Sequence, residues 1–294
     1  MKKKRIFSGV GTALITPFFD AGIDFDSLAR IIDFQINAGI DALIVAGTTG
    51  EASTLDENER YALYEFAKEK TSGKIPLILG TGTNDTSTTI KYTKRAAEIG
   101  ADAALVVTPY YNKGTADGII LHYKKIADCS DLPIILYNVP SRTGVNLSVS
   151  AVYELSQHRN IVAIKEASDY VDRLTDLSEF SEELDLYSGN DSAIYTTLSL
   201  GGKGVISVAS NIAPKATLNI TQSFTRGDTQ TSLKAQKELM PLCRALFLET
   251  NPAPIKYLMN RMGFCSDKIR LPLTMPSDET KGKLNKLFVN LNDI

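Results

Sequence analysis

The chain alternates between short apolar runs, clusters rich in glycine, threonine, proline and asparagine, and amphipathic stretches. The apolar runs are "GVGTALITPF" from Gly9, "DALIVAGTTGE" from Asp41, "IPLILGTG" from Ile75, "DAALVVTPYY" from Asp102, "LPIILYNVP" from Leu132, "NIVAIKEAS" from Asn160, "LDLYSGND" from Leu184, and a last run from Gly202 that Lys203 and Gly204 interrupt. Their near-continuous hydrophobicity is that of strands covered on both faces. Between them lie helical patterns such as "DFDSLARIIDFQINAG" from Asp24 and "TLDENERYALYEFAKEKTSG" from Thr54; Asp24 opens the first, and Gly39 and Gly73 close the pair, as helix start and stop signals predict. Strands alternating with helices of this length imply right-handed crossovers and a parallel sheet. Eight such units in about 210 residues predict a closed (β/α)8 TIM barrel, an α/β fold. Beyond Pro214 only helical periodicity remains, in "TSLKAQKELMPLCRALFLE" and "PAPIKYLMNRMG". The expected organisation is a catalytic barrel over residues 1–225 and a helical C-terminal extension over 226–294, with no flexible linker.

Composition changes this picture little and narrows the function. With 294 residues, 43% hydrophobic and 22% charged, the chain resembles an ordinary globular protein with a sizeable core. A net charge of −2, with acids and bases interspersed, gives no electrostatic footprint for nucleic acid or an anionic membrane. No window approaches the ~18 consecutive apolar residues of a membrane span. The basic "MKKKRIF" start is followed by neither an apolar segment nor a cleavage site, and reads as a frayed terminus rather than a signal peptide. Cys129, Cys243 and Cys265 are scattered and odd in number, which argues against a disulfide framework or a zinc site and for the reducing cytoplasm. His122 and His158, both amid helix-like sequence, are expected at the surface or an interface rather than on a metal. "GTGTNDT" from Gly80 and "GGKGV" from Gly201 lack the spacing and context of phosphate-cradling loops and are expected to be turns. Neither a cofactor nor a metal is expected, so the chemistry falls to other side chains.

In barrels of this kind the chemistry lies at the C-terminal ends of the strands. Thr48, Thr49, Tyr110, Tyr111, Tyr137, Asn138, Lys165, Glu166, Gly189 and Asn190 all fall there. Taken singly, such residues commonly cap a helix or close a turn. Five strands delivering hydroxyls, an amine and backbone donors to one rim describe instead a pocket for a small polar substrate. Lys165 admits two readings: an ion pair with Glu166 or another carboxylate at the rim, or a nucleophile. Successive strand residues point to opposite faces, so Lys165 and Glu166 cannot both face the interior. A lysine in a partly dry interior has its ammonium form disfavoured, raising the neutral fraction from roughly one in a few thousand at neutral pH. Attack on a ketone or aldehyde would then give a Schiff base, an electron sink for making or breaking a neighbouring C–C bond. Tyr137 could move protons during that process.

The motifs "GTTGE" at Gly47, "TPYYNK" at Thr108, "YNVPSRTG" at Tyr137, "IVAIKEAS" at Ile161, "YSGND" at Tyr187 and "ETNPAPIK" at Glu249 resemble those of the dihydrodipicolinate (4-hydroxy-tetrahydrodipicolinate) synthase family, and in the family's order. That family belongs to the pyruvate-dependent class I aldolases, the N-acetylneuraminate lyase superfamily. The resemblance covers the chain from about Gly9 to the C-terminus. It implies condensation of pyruvate with aspartate-4-semialdehyde, the first committed step toward diaminopimelate and lysine. It further implies that Lys165 forms the imine, that Tyr137, Thr48 and Tyr111 relay protons, with Tyr111 reaching across a subunit interface, and that Thr49 holds the pyruvate carboxylate. Arg142 would bind the semialdehyde carboxylate, and Gly189 and Ile206 would line the pyruvate site. A homo-oligomer, in the family usually a tetramer built as a dimer of dimers, follows from the role of Tyr111.

Two rival readings differ from this one in identifiable residues. N-acetylneuraminate lyases and keto-deoxy sugar acid aldolases share the strand lysine and tyrosine, but a sugar chain calls for neutral hydrogen-bonding groups where Arg142 stands. A non-catalytic keto-acid-binding barrel would be expected to lose Lys165 or a relay hydroxyl, and all are present. Gly114 stands where family members often carry proline, which predicts a less rigid loop after Tyr111. The positions matching the family's lysine feedback site read Ala52, Glu57, Arg60 and Thr88, with Asn84 and Tyr110 retained. Thr88 removes a carboxylate partner for a cationic amino acid, Arg60 adds repulsion, and Glu57 adds attraction. Lysine inhibition of the condensation is therefore expected to be weak or absent, and an inhibition constant in the sub-millimolar range would overturn this expectation.

Overall fold

The computed structural model describes residues 3–168 and 171–291. Eight strands, β1 (Gly9–Ala13), β2 (Ala42–Val45), β3 (Leu77–Gly80), β4 (Ala103–Val107), β5 (Ile134–Asn138), β6 (Ile161–Glu166), β7 (Asp185–Ser188) and β8 (Gly204–Ser207), each fall within one of the apolar runs. They pair in parallel and in sequence order, and β8 returns to β1 to close the barrel. Helices α1 (Phe25–Ala38), α2 (Glu57–Thr71), α3 (Thr86–Ile99), α4 (Ala116–Ala127), α5 (Val149–Ser156), α6 (Val171–Ser178), α7 (Ile194–Ser199) and α8 (Pro214–Thr225) follow the strands in turn. Three more, α9 (Thr229–Ala245), α10 (Ala253–Arg261) and α11 (Asp278–Leu291), follow α8.

The local signals act as their chemistry requires. Asp24 caps α1 by accepting from Ser27 N, and Gly39 ends the helix in the left-handed conformation. At α2 the Asp56 and Glu59 side chains form a reciprocal capping box, but the left-handed residue that ends the helix is Ser72, one position before the expected Gly73. A small antiparallel hairpin, Phe18–Phe19 with Gly22–Ile23, was not predicted: each arm is only two residues, too short for a period-two pattern to register.

Alternation along the strands builds two apolar layers. Ile135 and Tyr137 of β5 face the interior with Ile44, Ile78, Leu105, Tyr187 and Ile206, whereas Ile134 and Leu136 face the surrounding helices. The N-terminal segment is not frayed from Lys3 onward. Phe7 is buried and stacks on Tyr187 with ring centroids 4.3 Å apart, and the Tyr187 hydroxyl donates to Phe7 O at 2.7 Å. Lys3 Nζ donates to Ile161 O at 2.6 Å. His122 also departs from expectation. It is buried, with Nδ1 2.9 Å from Thr86 Oγ1 and, among the described residues, no hydrogen-bond partner at Nε2, and burial pushes its pKa down to about 4.

The C-terminal helices are fastened to the barrel through a buried ion pair. Lys256 Nζ on α10 lies 2.5 Å from Glu51 Oε1, with side chains 0% and 1% exposed, and 4.4 Å from the Phe18 ring centroid. Glu51 Oε2 accepts from Arg270 N at 2.9 Å. Burial holds Lys256 below the usual lysine range, opposed by the charge and hydrogen bond of Glu51. Removing one member strands the other in a dry site, which typically costs about 3–5 kcal/mol. Lys256→Met should lower stability to urea by that amount, with Glu51→Gln/Lys256→Met recovering much of the loss. Equal stabilities for Lys256→Met and the wild type would show the pair to be dispensable.

Candidate active site

The register between β5 and β6 decides which side chains enter the barrel. Tyr137 lies opposite Lys165 and Asn138 opposite Glu166. Lys165 and Tyr137 therefore turn inward, and Lys165 Nζ sits 4.3 Å from the centre of the Tyr137 ring, within cation–π range. Lys165 is 5% exposed, and among the described residues it forms no ion pair. Glu166 points outward, away from the amine, and its Oε2 is 2.6 Å from Arg173 Nε on α6. The ion-pair reading of Lys165 with Glu166 thus fails for a geometric reason.

Above these residues the strand ends enclose a cleft of about 360 Å³. Lys165, Tyr137, Thr48, Thr49, Arg142 and Gly189 line it, so six of the eight residues singled out in the sequence meet at one cavity. Thr49 is buried and its Oγ1 accepts from Asn251 Nδ2 at 3.1 Å. Arg142 sits in a helical turn, Pro140–Thr143, just beyond β5, and its Nη2 donates to Asn251 O at 3.1 Å. At Gly189 a Cβ would lie 2.5 Å from Ala167 Cβ and 2.9 Å from Glu166 O, so only glycine lets β6 and β7 approach this closely.

Two of the eight lie elsewhere. Ile206 is fully buried in the interior apolar cluster with Tyr137 and Tyr187, and the cleft lining does not include it. Tyr111 has a φ of 72°, uncommon for a residue with a side chain, and is 88% exposed outside the cleft. Tyr110, by contrast, lines an adjoining cavity of about 450 Å³ that shares Thr48, Tyr137, Val139, Arg142 and Asn251 with the cleft. Arg60 lines that second cavity too, where its Nη1 donates to Gly80 O at 3.1 Å and its Nη2 to Ala52 O at 2.5 Å. Glu57 is paired with Lys91 at 2.5 Å, so its attraction for an incoming cation is offset.

Sequence reasoning missed Asp191 and Asn251, although both stand inside quoted motifs. Asp191 is the one carboxylate among the residues lining the cleft. Its Oδ2 accepts from Val208 N at 3.0 Å and Ala209 N at 2.9 Å, while Oδ1 has no hydrogen-bond partner among the described residues. Burial raises its pKa, opposed by the nearby Ser207 side chain, the hydrogen bonds from Ala209 and Val208, and the charge of Lys165. Asn251 joins the Thr49 and Arg142 sides of the cleft, a role that no local pattern announces because its partners lie 202 and 109 residues away. No group of three or more His, Cys, Asp or Glu side chains arranged to hold a metal occurs among the described residues.

This arrangement can bring a carbonyl compound to a buried amine beside a phenol, with hydroxyls and a guanidinium available for carboxylates. Known proteins resemble the chain over nearly its whole length. The 4-hydroxy-tetrahydrodipicolinate synthase of Acetivibrio thermocellus is 46% identical over 292 residues, 99% of this chain and 98% of that one. The crystal structure of dihydrodipicolinate synthase from Thermotoga maritima superposes with a TM-score of 0.96 at 41% identity, covering 99% of this chain and 100% of that one. The chloride-inhibited dihydrodipicolinate synthase from Acinetobacter baumannii, crystallised with pyruvate, gives a TM-score of 0.96 at 39% identity, with coverage of 99% and 100%. The family model described as the dihydrodipicolinate synthetase family matches residues 6–290, and the chain belongs to that family.

Proposed function

We propose that the protein acts as a 4-hydroxy-tetrahydrodipicolinate synthase, a lyase of the class I aldolase type that joins pyruvate to L-aspartate-4-semialdehyde through a Schiff base on Lys165. The observation that carries this is the Lys165 amine, buried at the cleft, without an ion-pair partner among the described residues and 4.3 Å from the Tyr137 ring centre. The Acinetobacter baumannii relative was crystallised in complex with pyruvate, which is consistent with this reading.

The neutral amine attacks the pyruvate ketone carbon, and the carbinolamine loses water to give the imine. Tyr137, with Thr48 and Tyr111, passes the protons that this addition and dehydration require. Loss of a methyl proton gives the enamine, whose carbon attacks the semialdehyde carbonyl and forms the C–C bond. The semialdehyde's own amine then displaces Lys165 from the imine carbon, closing the ring and freeing the enzyme, with one water released per turnover. Thr49 receives the pyruvate carboxylate, Gly189 leaves room for it, and Ile206 supports the site from the interior layer. Arg142 receives the semialdehyde carboxylate, for which its planar fork of donors is suited. That guanidinium at the cleft favours this reading over a sugar-acid aldolase.

For Tyr111 to reach a cleft, a second chain must deliver it, and its 88% exposure is consistent with that. We therefore propose a homo-oligomer, a tetramer built as a dimer of dimers. We read residues 1–225 as the catalytic barrel and 226–294 as its helical extension, with the Lys256–Glu51 pair supporting their union. A cytoplasmic location is proposed from the cysteine pattern; no helix among the described residues is long and apolar enough to cross a membrane.

Borohydride reduction in the presence of pyruvate, followed by peptide mass mapping, should leave a stable pyruvate-derived adduct on Lys165. A folded protein unmodified at Lys165 would remove the central step. Arg142→Gln should leave this trapping intact while raising the KM for the semialdehyde about 10–100-fold, the loss of a charge-assisted contact worth ~1.5–3 kcal/mol. An unchanged KM would move the carboxylate site elsewhere.

A further inference from the structure

The residues that follow Tyr137 and Lys165 form a second pair on the outer face of the same two strands. Asn138 Nδ2 donates to both oxygens of Glu166 at 3.0 Å. Glu166 Oε1 also accepts from Ser168 N at 2.7 Å, and Oε2 from Arg173 Nε at 2.6 Å. Asn138 Oδ1 accepts from Leu147 N at 3.0 Å, and Arg173 Nη2 donates to Leu147 O at 2.5 Å. Asn138, Glu166 and Arg173 are all more than nine-tenths buried, and none of them lines the cleft.

We propose that Asn138, Glu166 and Arg173 are positioning residues for the condensation, an outer clamp that fixes the direction of Lys165 toward Tyr137 and neutralises the buried charge behind the amine. The proposal rests on the assignment of Lys165 as the imine-forming residue. Its mechanical part follows from the shared backbone: the network that anchors the Glu166 side chain restrains the adjoining residue Lys165, and Asn138 restrains Tyr137 in the same way. Its electrostatic part follows from burial. In a site of low dielectric an unbalanced Glu166 carboxylate one residue from the amine would stabilise the ammonium form, and Arg173 removes that imbalance.

The other groups around Lys165 are Tyr137 opposite it on β5, Tyr187 opposite it on β7 with its hydroxyl donated to Phe7 O, and Asp191 beyond β7. Arg142, Cys243 and Arg244 complete the titratable lining of the cleft. Among the described residues, none of these side chains bonds to Glu166 or Arg173, so the pH dependence of imine trapping reads the clamp.

The test measures, in the full-length protein, the rate of borohydride trapping of pyruvate on Lys165 as a function of pH, with near-ultraviolet circular dichroism confirming the folded state. Arg173→Gln leaves an unbalanced anion and should raise the pH of half-maximal trapping by about one unit, slowing trapping at neutral pH about tenfold. Glu166→Gln leaves an unbalanced cation and should move the midpoint the other way. Glu166→Gln/Arg173→Gln should return it to the wild-type value while the rate at optimal pH stays reduced, because the fixed direction of the amine is lost. Should Arg173→Gln fail to fold, the opposite shift of Glu166→Gln and its reversal in the double variant carry the same sign test. Losses of rate and stability with an unmoved midpoint would make the network merely structural and overturn the proposal. Absence of trapping in the wild type would instead remove the assignment of Lys165 itself.

Discussion

The parallel register of β5 and β6 is the constraint on which the site depends. It sets two side-chain pairs back to back, Tyr137 with Lys165 inside the barrel and Asn138 with Glu166 outside it. A slip of one residue would send Lys165 to the helical layer and bring Glu166 into the interior. Closure of all eight strands makes such a slip costly, since every strand is bonded on both sides and no free edge remains to absorb it. The outer pair then holds a charge that the interior pair could not tolerate beside it.

Charge separation is the second theme. Burying an ion is unfavourable unless it is paired and hydrogen-bonded, and this chain satisfies that rule at Glu166–Arg173 and Glu51–Lys256. Lys165 stands apart: it is nearly as buried as those groups, yet makes no ion pair among the described residues. We read a buried lysine without an ion-pair partner among the described residues, in a cleft whose one carboxylate, Asp191, is held by backbone N–H groups, as an amine held for chemistry.

The C-terminal helices belong to this design because the cleft is assembled across them. Asn251, ahead of α10, touches Thr49 on one side and Arg142 on the other, and Lys256 anchors Glu51 two residues after Thr49. Cys243 and Arg244 of α9 line the same cleft. The barrel rim by itself would leave the Thr48–Thr49 loop without these partners. The site is therefore a property of the barrel and its extension together.

Local patterns in the sequence determined the strand and helix succession, the barrel, the caps at Asp24 and Gly39, and the opposite facing of Lys165 and Glu166, because each depends on periodicity or turn chemistry within a few residues. The motifs also brought six cleft residues into view, since strand ends in a closed barrel converge on one rim. Other features waited on the tertiary structure. The burial of Phe7 against Tyr187, the His122 environment, the bonds from Val208 and Ala209 to Asp191 and the Lys256–Glu51 pair, 205 residues apart in sequence, all require elements that meet only after the barrel closes. Local preference acts along the chain, whereas the partner of a buried charge is chosen by what the fold brings within reach, and among the described residues that choice gave Lys165 no ion pair while Glu166 found Arg173.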